Sequence, residues 1–272
     1  MRIGILGGGT IARLFLEHIR RGDLGAGIDV AAICGRSAAS QGATLAREYG
    51  VPFVVGASEL AAAKPDVVIE AASHDAVREH LVGLLSARIA VIVLSGGALV
   101  DDDLRAKAER AAEQNGVLLY VPSGGIGALD ALKAACIAGV DEATIQVAKP
   151  PAAWKKIPFV ESLGVNLDKL GEARVLFEGP AREGVPHFPQ NVNIAAVLSM
   201  AGIGFDRTML RVVADPALKL NTHTIRIRGA SGAITIVLEN VPAPDNPKTA
   251  WLACYSALAA LKQVNTQVRY GT

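Results

Sequence analysis

Cysteine is scarce in this chain: Cys34, Cys136 and Cys254 are the three in 272 residues. Scattered and odd in number, they exclude a disulfide framework and show no metal-ligand spacing. They read as small hydrophobes of a reduced, cytoplasmic protein. Net charge is nearly absent as well, with 27 basic side chains against 26 acidic ones. That excludes the electrostatic footprint of a nucleic-acid binder or of a protein held to an anionic membrane. Long apolar runs are missing. The strongest, residues 87–94, is too short for a bilayer span and reads as a buried strand, and the N-terminal run is short and broken by glycine, unlike a signal peptide. There is no internal repeat, low-complexity segment or charged tail. No H-E-x-x-H, nucleophilic-serine motif or cysteine pair competes for a catalytic role. A length of 272 residues with 51% hydrophobic side chains suits one large domain or two ordinary ones with a proper core.

What is present begins at once. Arg2–Leu6 is short and largely apolar, as a strand requires, and a helix-like run follows at 13–20. Between them Gly7-Gly8-Gly9-Thr10-Ile11-Ala12 fits G-x-G-x-x-A. Gly7 allows the tight turn, Gly9 lets the backbone approach a pyrophosphate, and Ala12 lets helix and strand pack closely. The helix start at Thr10 and Ile11 presents free N–H groups to the anion. The competing reading is an ordinary glycine-rich turn. A second strand, 28–34, ends in Cys34-Gly35-Arg36-Ser37, where an NAD-selective site would place an acid. Arg36 and Ser37 can receive a 2′-phosphate, so the expected cofactor is NADP, with NAD tolerated; the bland alternative is a solvated arginine at a helix start. Beyond a buried strand at 66–70, Ala71 and Ala72 are small, as backbone beside a cofactor must be. His74 reads equally well as a nicotinamide-ribose contact and as a helix-start residue.

The remainder of the first half alternates helix and strand: helix 38–49 stopped by Gly50, strand 51–55, a turn capped by Ser58, helix 75–85, strand 89–94, helix 101–115 stopped by Gly116, strand 117–121. This is the pattern of a doubly wound, Rossmann-type parallel sheet over residues 1–121, an α/β domain. At Pro122 the character changes. A glycine-rich loop enters a helix at 128–138, and strands follow at 143–149, 174–178, 209–214, 222–228 and 233–239. The last two form a hairpin through Gly229-Ala230-Ser231-Gly232, and a helix lies at 192–202. Residues 122–245 thus read as an α+β substrate and dimerisation domain with a mixed sheet open on one face. Too few helices exist to cover both faces, so an apolar open face buried in a homodimer is expected. Residues 246–272 read as a C-terminal helix returning to the first domain, with Asn246 as cap, Pro247 in the first turn and the body at 248–261.

Of the five histidines, His18 and His80 sit on helices as surface or packing residues, and His187 lies in a proline-flanked loop. His223 differs. Period-two alternation puts it on one strand face with Ile225 and Ile227, while Thr224, Arg226 and Arg228 take the other. An imidazole at the end of an apolar face can have its pKa tuned for acid–base work; a hydrogen-bonded core histidine is the competing reading.

The chain resembles the L-aspartate dehydrogenase family across essentially its whole length. The matching segments are GGGTIA at 7–12, PSGGIGALDAL at 122–132, KPPAAW at 149–154, FPQNVNIAAVLSMAG at 188–202, NTHTI at 221–225 and DNPKTAWLACYS at 245–256. The resemblance implies NAD(P)-dependent oxidation of L-aspartate to iminoaspartate, which hydrolyses to oxaloacetate and ammonia or feeds NAD biosynthesis, and the reverse amination. It implies that His223 is catalytic and that Gly125 and Asn191 contact the cofactor. Gly125 stands where the family has alanine, and Gln190 where lysine is common. Two substrate carboxylates need donors, for which Lys149, Lys248, Thr249 and a helix start at Asn246 are candidates. Two other readings share the dinucleotide motif: a two-domain dehydrogenase acting on a sugar or homoserine, and a non-catalytic dinucleotide-binding regulator. The regulator has no evident use for His223 together with the segments 191–193 and 246–249.

Overall fold

The computed structural model describes residues 1–189, 191–243 and 246–268, with the backbone alone at 246–249. These residues form two compact units. One is Met1–Pro122 with the last helix from Cys254 on; the other is Ser123–Ala253.

The first unit runs β1 (Arg2–Leu6), α1 (Thr10–Arg21), β2 (Asp29–Gly35), α2 (Gln41–Tyr49), β3 (Phe53–Val55), α3 (Ala57–Ala62), β4 (Val67–Glu70), α4 (His74–Ser86), β5 (Ala90–Val93), α5 (Asp102–Asn115) and β6 (Leu119–Tyr120). The six strands lie in the order β3-β2-β1-β4-β5-β6, every pair parallel. Strand order therefore reverses between β1 and β4, and the crevice beyond their C-terminal ends is the switch point where such sheets take ligands. Helices cover both faces, which is why these strands read as apolar runs rather than alternations. Ile3, Ile5, Ile33, Ile69 and Ile92 are wholly buried. Left-handed glycines stop the helices: Gly22 at φ +78° after α1, Gly50 at +67° after α2, Gly116 at +64° after α5. Two boundaries differ from expectation. Residues 38–40 form a turn, so α2 starts at Gln41. The segment expected to be a turn capped by Ser58 is α3. Glu59 reaches back to accept the Val55 N–H at 3.0 Å, so Ser58 lies inside the helix rather than at its cap.

The second unit contains α6 (Leu129–Ala138), β7 (Val140–Lys149), α7 (Pro158–Ser162), β8 (Arg174–Pro180), α8 (Ala181–Gly184), α9 (Asn193–Ala201), β9 (Thr208–Ala214), β10 (Asn221–Gly229), β11 (Gly232–Asn240), β12 (Pro242–Ala243), β13 (Asn246–Ala250) and the start of α10 (Trp251–Val264). Its main sheet has the order β11-β10-β7-β9-β8 and is mixed: β7 and β9 are parallel, the other pairs antiparallel. The inner face buries Ala143, Ile145, Val147, Leu210, Val212, Ile225 and Ile227, against α6 and α9. The outer face is open, but it is not the apolar surface expected. Thr222, Thr224, Arg226, Arg228 and Arg211 occupy it, with Val175, Met209 and Val237 among its exposed apolar side chains.

The chain end departs from expectation more sharply. Residues 246–250 are not the start of a helix. They are β13, paired antiparallel with β12, and the helix begins at Trp251, whose N–H donates to Val241 O at 2.8 Å. The Asn246-Pro247 pair serves an extended conformation as well as a helix start, because a residue preceding proline is pushed out of the helical region. Farther along α10, Gln263 Oε1 accepts from Tyr120 Oη at 3.0 Å, and Tyr255 meets His18 edge-on at 5.8 Å. No helix among the described residues is long and apolar enough to cross a membrane.

Candidate active site

The glycine turn after β1 behaves as its spacing requires. Gly7 has φ +113°, and a Cβ there would lie 2.5 Å from Ala71 O, so only glycine fits between β1 and the end of β4. Gly9 is different: a Cβ built on it meets no atom of the described residues within 4 Å. Its bareness leaves room for something other than the protein, as a backbone approaching a pyrophosphate demands. Gly9 is also the N-cap of α1 and supplies no capping side chain. The first turn, Thr10-Ile11-Ala12, carries no acid, so the positive helix end is left for an anion. Ala12 is wholly buried, the close helix–strand contact its small size allows. Gly8, outside the spacing rule, is as tightly constrained as Gly7: a Cβ there would lie 2.2 Å from Gly42 Cα at the start of α2. Gly42 is the only signal of that contact, and nothing in the sequence joins the two.

Arg36 and Ser37 are exposed in the turn after β2, at the same sheet edge as the glycine turn and as Ala71 and Ala72 beyond β4. The edge thus brings together every residue expected to hold the cofactor in this unit, and its donors and clearances fit a dinucleotide. His74 is the first residue of α4, behind Ser73, whose Oγ accepts the Ala76 N–H at 3.2 Å. Beneath the edge is a buried acid that the sequence did not single out. Glu70 accepts from Ala72 N and Ser95 Oγ through Oε1 and from Ser95 N through Oε2, each at 2.9 Å. Burial pushes its carboxyl pKa up while these bonds oppose the rise. It ties the loop after β4 to the loop after β5.

In the second unit, β10 carries His223 on the inner face, 3% exposed. Its Nδ1 lies 3.0 Å from Gly125 O. A carbonyl only accepts, so Nδ1 bears the proton and Nε2 the lone pair. Asn240 on β11 donates through Nδ2 to the same carbonyl at 2.9 Å, and this Nδ2 also lies 3.1 Å from His223 Nδ1; an amide nitrogen cannot accept the Nδ1 proton, so the tautomer is assigned from the Gly125 contact alone. Among the described residues His223 Nε2, which is buried, has no hydrogen-bond partner. Burial pulls the imidazole pKa down to about 4, the Gly125 carbonyl opposes this, and the Lys149 charge adds to the fall. The ring is therefore held neutral, with a base-competent nitrogen free.

Lys149, at the end of β7, is 2% exposed. Its Nζ donates to Asn191 Oδ1 at 3.1 Å and lies 5.2 Å from the centre of the Trp154 ring. Asn191 is itself buried, just ahead of α9. Gly125 thus meets His223, and Asn191 meets Lys149, so the expected residues of this unit cluster on one sheet face. A Cβ on Gly125 would lie 3.0 Å from Ala250 Cβ, so the family's alanine would need Ala250 to shift by a few tenths of an ångström. Asn240 was not foreseen, being one of many polar strand ends. The side chains of Asn246, Lys248 and Thr249, and Gln190 entirely, lie outside the described residues. His187 stacks on Phe159 at 4.1 Å, and His18 contacts Asp23 at 2.7 Å. Among the described residues no group of three or more His, Cys, Asp or Glu side chains is placed to hold a metal ion.

Comparison with known proteins agrees with both halves. Residues 7–122 match the NAD-binding domain of homoserine dehydrogenase, and residues 130–264 match the C-terminal domain of aspartate dehydrogenase. An L-aspartate dehydrogenase from Methanocella arvoryzae is 41% identical over 100% of this chain and 99% of its own length. The crystal structure of aspartate dehydrogenase from Thermotoga maritima superposes with a TM-score of 0.75 at 26% identity, covering 100% of this chain and 99% of that one. Scyllo-inositol dehydrogenase from Lactobacillus casei, whose structure holds NAD(H), shares the fold at a TM-score of 0.57 and 16% identity over 97% of this chain and 88% of that one. A chain that aligns end to end at such identity, and whose second unit matches the C-terminal domain of these enzymes, belongs to the L-aspartate dehydrogenase family.

Proposed function

We propose that the protein catalyses NAD(P)-dependent oxidative deamination of L-aspartate to iminoaspartate, which hydrolyses to oxaloacetate and ammonia, and the reverse amination. The observation that carries this is His223, a neutral imidazole held by Gly125 O with its buried Nε2 unpartnered. A bound nicotinamide supplies the acceptor for the hydride leaving substrate Cα. His223 Nε2 takes the proton that the substrate amine gives up, and Nδ1 stays anchored on Gly125 so that the ring keeps its orientation. Lys149 offers its ammonium to a substrate carboxylate, and Asn191 steadies it. The glycine turn and the α1 N-terminus hold the pyrophosphate through Gly7, Gly9 and residues 10–12. Residues 1–121 serve the cofactor, and 122–245 the substrate and subunit contacts.

Arg36 and Ser37, with no acid after β2, support NADP over NAD. The open outer face of the second sheet supports a homodimer. On it Arg228 lies opposite Glu142, while Arg226 and Glu239 are exposed on the same face opposite threonines, so both signs of charge are presented there, a pattern that a two-fold axis can match to itself. Three free thiols support a reducing, cytoplasmic setting. The decisive test is a screen of L-amino acids and polyols for reduction of NADP and NAD. L-Aspartate is expected to reduce both; turnover of a polyol with L-aspartate inert would overturn the reading.

A further inference from the structure

Asn221 opens β10, two residues before His223 and on the same inner face. It is 1% exposed, and its side-chain Nδ2 is buried without a hydrogen-bond partner among the described residues. A buried amide donor left unmet is costly and uncommon in a folded protein, and it calls for an explanation. The register shows what surrounds it. On one side Asn221 pairs with Asn240 of β11. On the other, the ladder to β7 ends at Thr222 and Ala148, and Asn221 and Lys149 are the residues just beyond it on the two strands. Lys149, Asn221 and Asn240 therefore form a polar row across three adjacent strands, with His223 one step along β10. Asn240 is committed to Gly125 O. The row thus presents a cation and an unmet N–H donor side by side, next to the imidazole Nε2, which bears a lone pair and is also unmet.

We propose that Asn221 is a substrate-binding residue: its Nδ2 donates to a carboxylate of the amino-dicarboxylic substrate, beside the Lys149 ammonium, and so directs the amine-bearing carbon toward His223. This deepens the aspartate reading and rests on it. Lys149 alone recognises negative charge but not its orientation. A carboxylate has two oxygens, and one donor for each fixes the plane of the group. An amide donor is neutral, so it adds this selection without adding to the Lys149 charge, which together with burial already lowers the His223 pKa.

Three variants of the full-length protein test it: Asn221→Ala, Asn221→Ser and Asn221→Asp. The measurements are KM and kcat for L-aspartate, cofactor affinity, and the rise in melting temperature that succinate, a dicarboxylate lacking the amine, gives the cofactor-loaded protein. Asn221→Ala is expected to raise KM for L-aspartate by roughly tenfold to a hundredfold. Cofactor affinity should stay within twofold, the unliganded melting temperature within about 3 °C, and the succinate-induced rise should disappear. Asn221→Ser, which keeps a donor, should recover part of the loss. Asn221→Asp, which places a negative group against the substrate carboxylate, should be the weakest binder of the three. Unchanged KM and an unchanged succinate response in Asn221→Ala would overturn the proposal, as would tight binding by Asn221→Asp. If Asn221→Ala does not fold, Asn221→Ser and Asn221→Asp decide the matter by the same readouts. Should the wild-type protein itself fail to turn over L-aspartate, the functional reading falls first, and the variants are not needed to show it.

Discussion

The two halves of the molecule each carry a candidate binding region, and the two regions are built from opposite materials. At the tip of β1 the binding edge consists of backbone and of side chains that are not there: Gly7 where a Cβ would strike Ala71 O, and Gly9 where a Cβ would strike nothing. On the inner face of the second sheet the site consists of buried polar side chains, Lys149, Asn191, Asn221, His223 and Asn240, in an otherwise apolar layer. In the proposed function the first half binds a group common to every dinucleotide, for which backbone donors suffice. The second would distinguish one small molecule from others and move a proton, and that takes side chains whose charge state the fold controls.

The largest expected effect would break the comparison if it spread from one half to the other. His223→Ala should lower kcat by about 10²–10⁴-fold, the usual span for a lost acid–base group, while cofactor affinity stays within twofold. Steady-state kinetics and a cofactor titration check both. A parallel fall in cofactor affinity would mean that the halves do not act separately. The same histidine makes a prediction about stability. Its folded pKa, about 4, lies below the ordinary value of 6.5, so between those values the unfolded chain binds more protons than the folded one. Its contribution is fully present above pH 6.5 and is lost as pH falls through 4, amounting to about 3 kcal/mol. Denaturant titrations across that range should show a shallower acid loss for His223→Gln than for the wild type.

The backbone half predicts a contrast between neighbouring glycines. Gly7→Ala should destabilise the protein by about 2–3 kcal/mol through the clash with Ala71 and abolish cofactor binding. Gly9→Ala should change stability by no more than about 0.5 kcal/mol yet weaken cofactor binding more than tenfold. Equal stability losses in the two variants, measured by chemical denaturation, would show that Gly9 is kept for the fold and not for a ligand. The smallest effect sharpens the edge itself. Arg36→Ala should weaken NADP binding about tenfold, near 1.4 kcal/mol, and leave NAD unchanged, because the pyrophosphate contacts are common to both. Equal loss for both cofactors would remove Arg36 from the 2′ position.

How far the sequence disclosed all this follows from the same contrast. Glycine spacing is a local record of backbone geometry, so the turn at Gly7–Ala12, the helix stops at Gly50 and Gly116 and the parallel sheet were legible. Alternation along one strand placed His223 on the correct face of β10. What failed was non-local. Gly8 is required by Gly42, over thirty residues away. Asn240 matters because β11 lies beside β10 and brings it to Gly125, and Asn221 because β7 carries Lys149 on the other side. Neither relation leaves a period in the sequence. Glu59 reaching back to Val55 turned an apparent loop into α3. Asn246-Pro247 satisfied the rule for a helix start while pairing as a strand. The outer face was expected to be apolar from the scarcity of helices, but a sheet face can be left uncovered if its side chains are Thr and Arg, as they are on β10.

The first unit is discontinuous in sequence, and this sets the order in which it can be completed as it is made. Its six strands leave the ribosome early, but its last helix arrives only after the whole second unit has been synthesised. Tyr120 waits for Gln263, 143 residues later. At about 5–20 residues per second that interval is about 7–30 s. Throughout it Leu258 and Leu261 of α10, buried in the finished protein, have not yet been made. A nascent chain that already carries all six strands therefore still lacks one segment of its first unit.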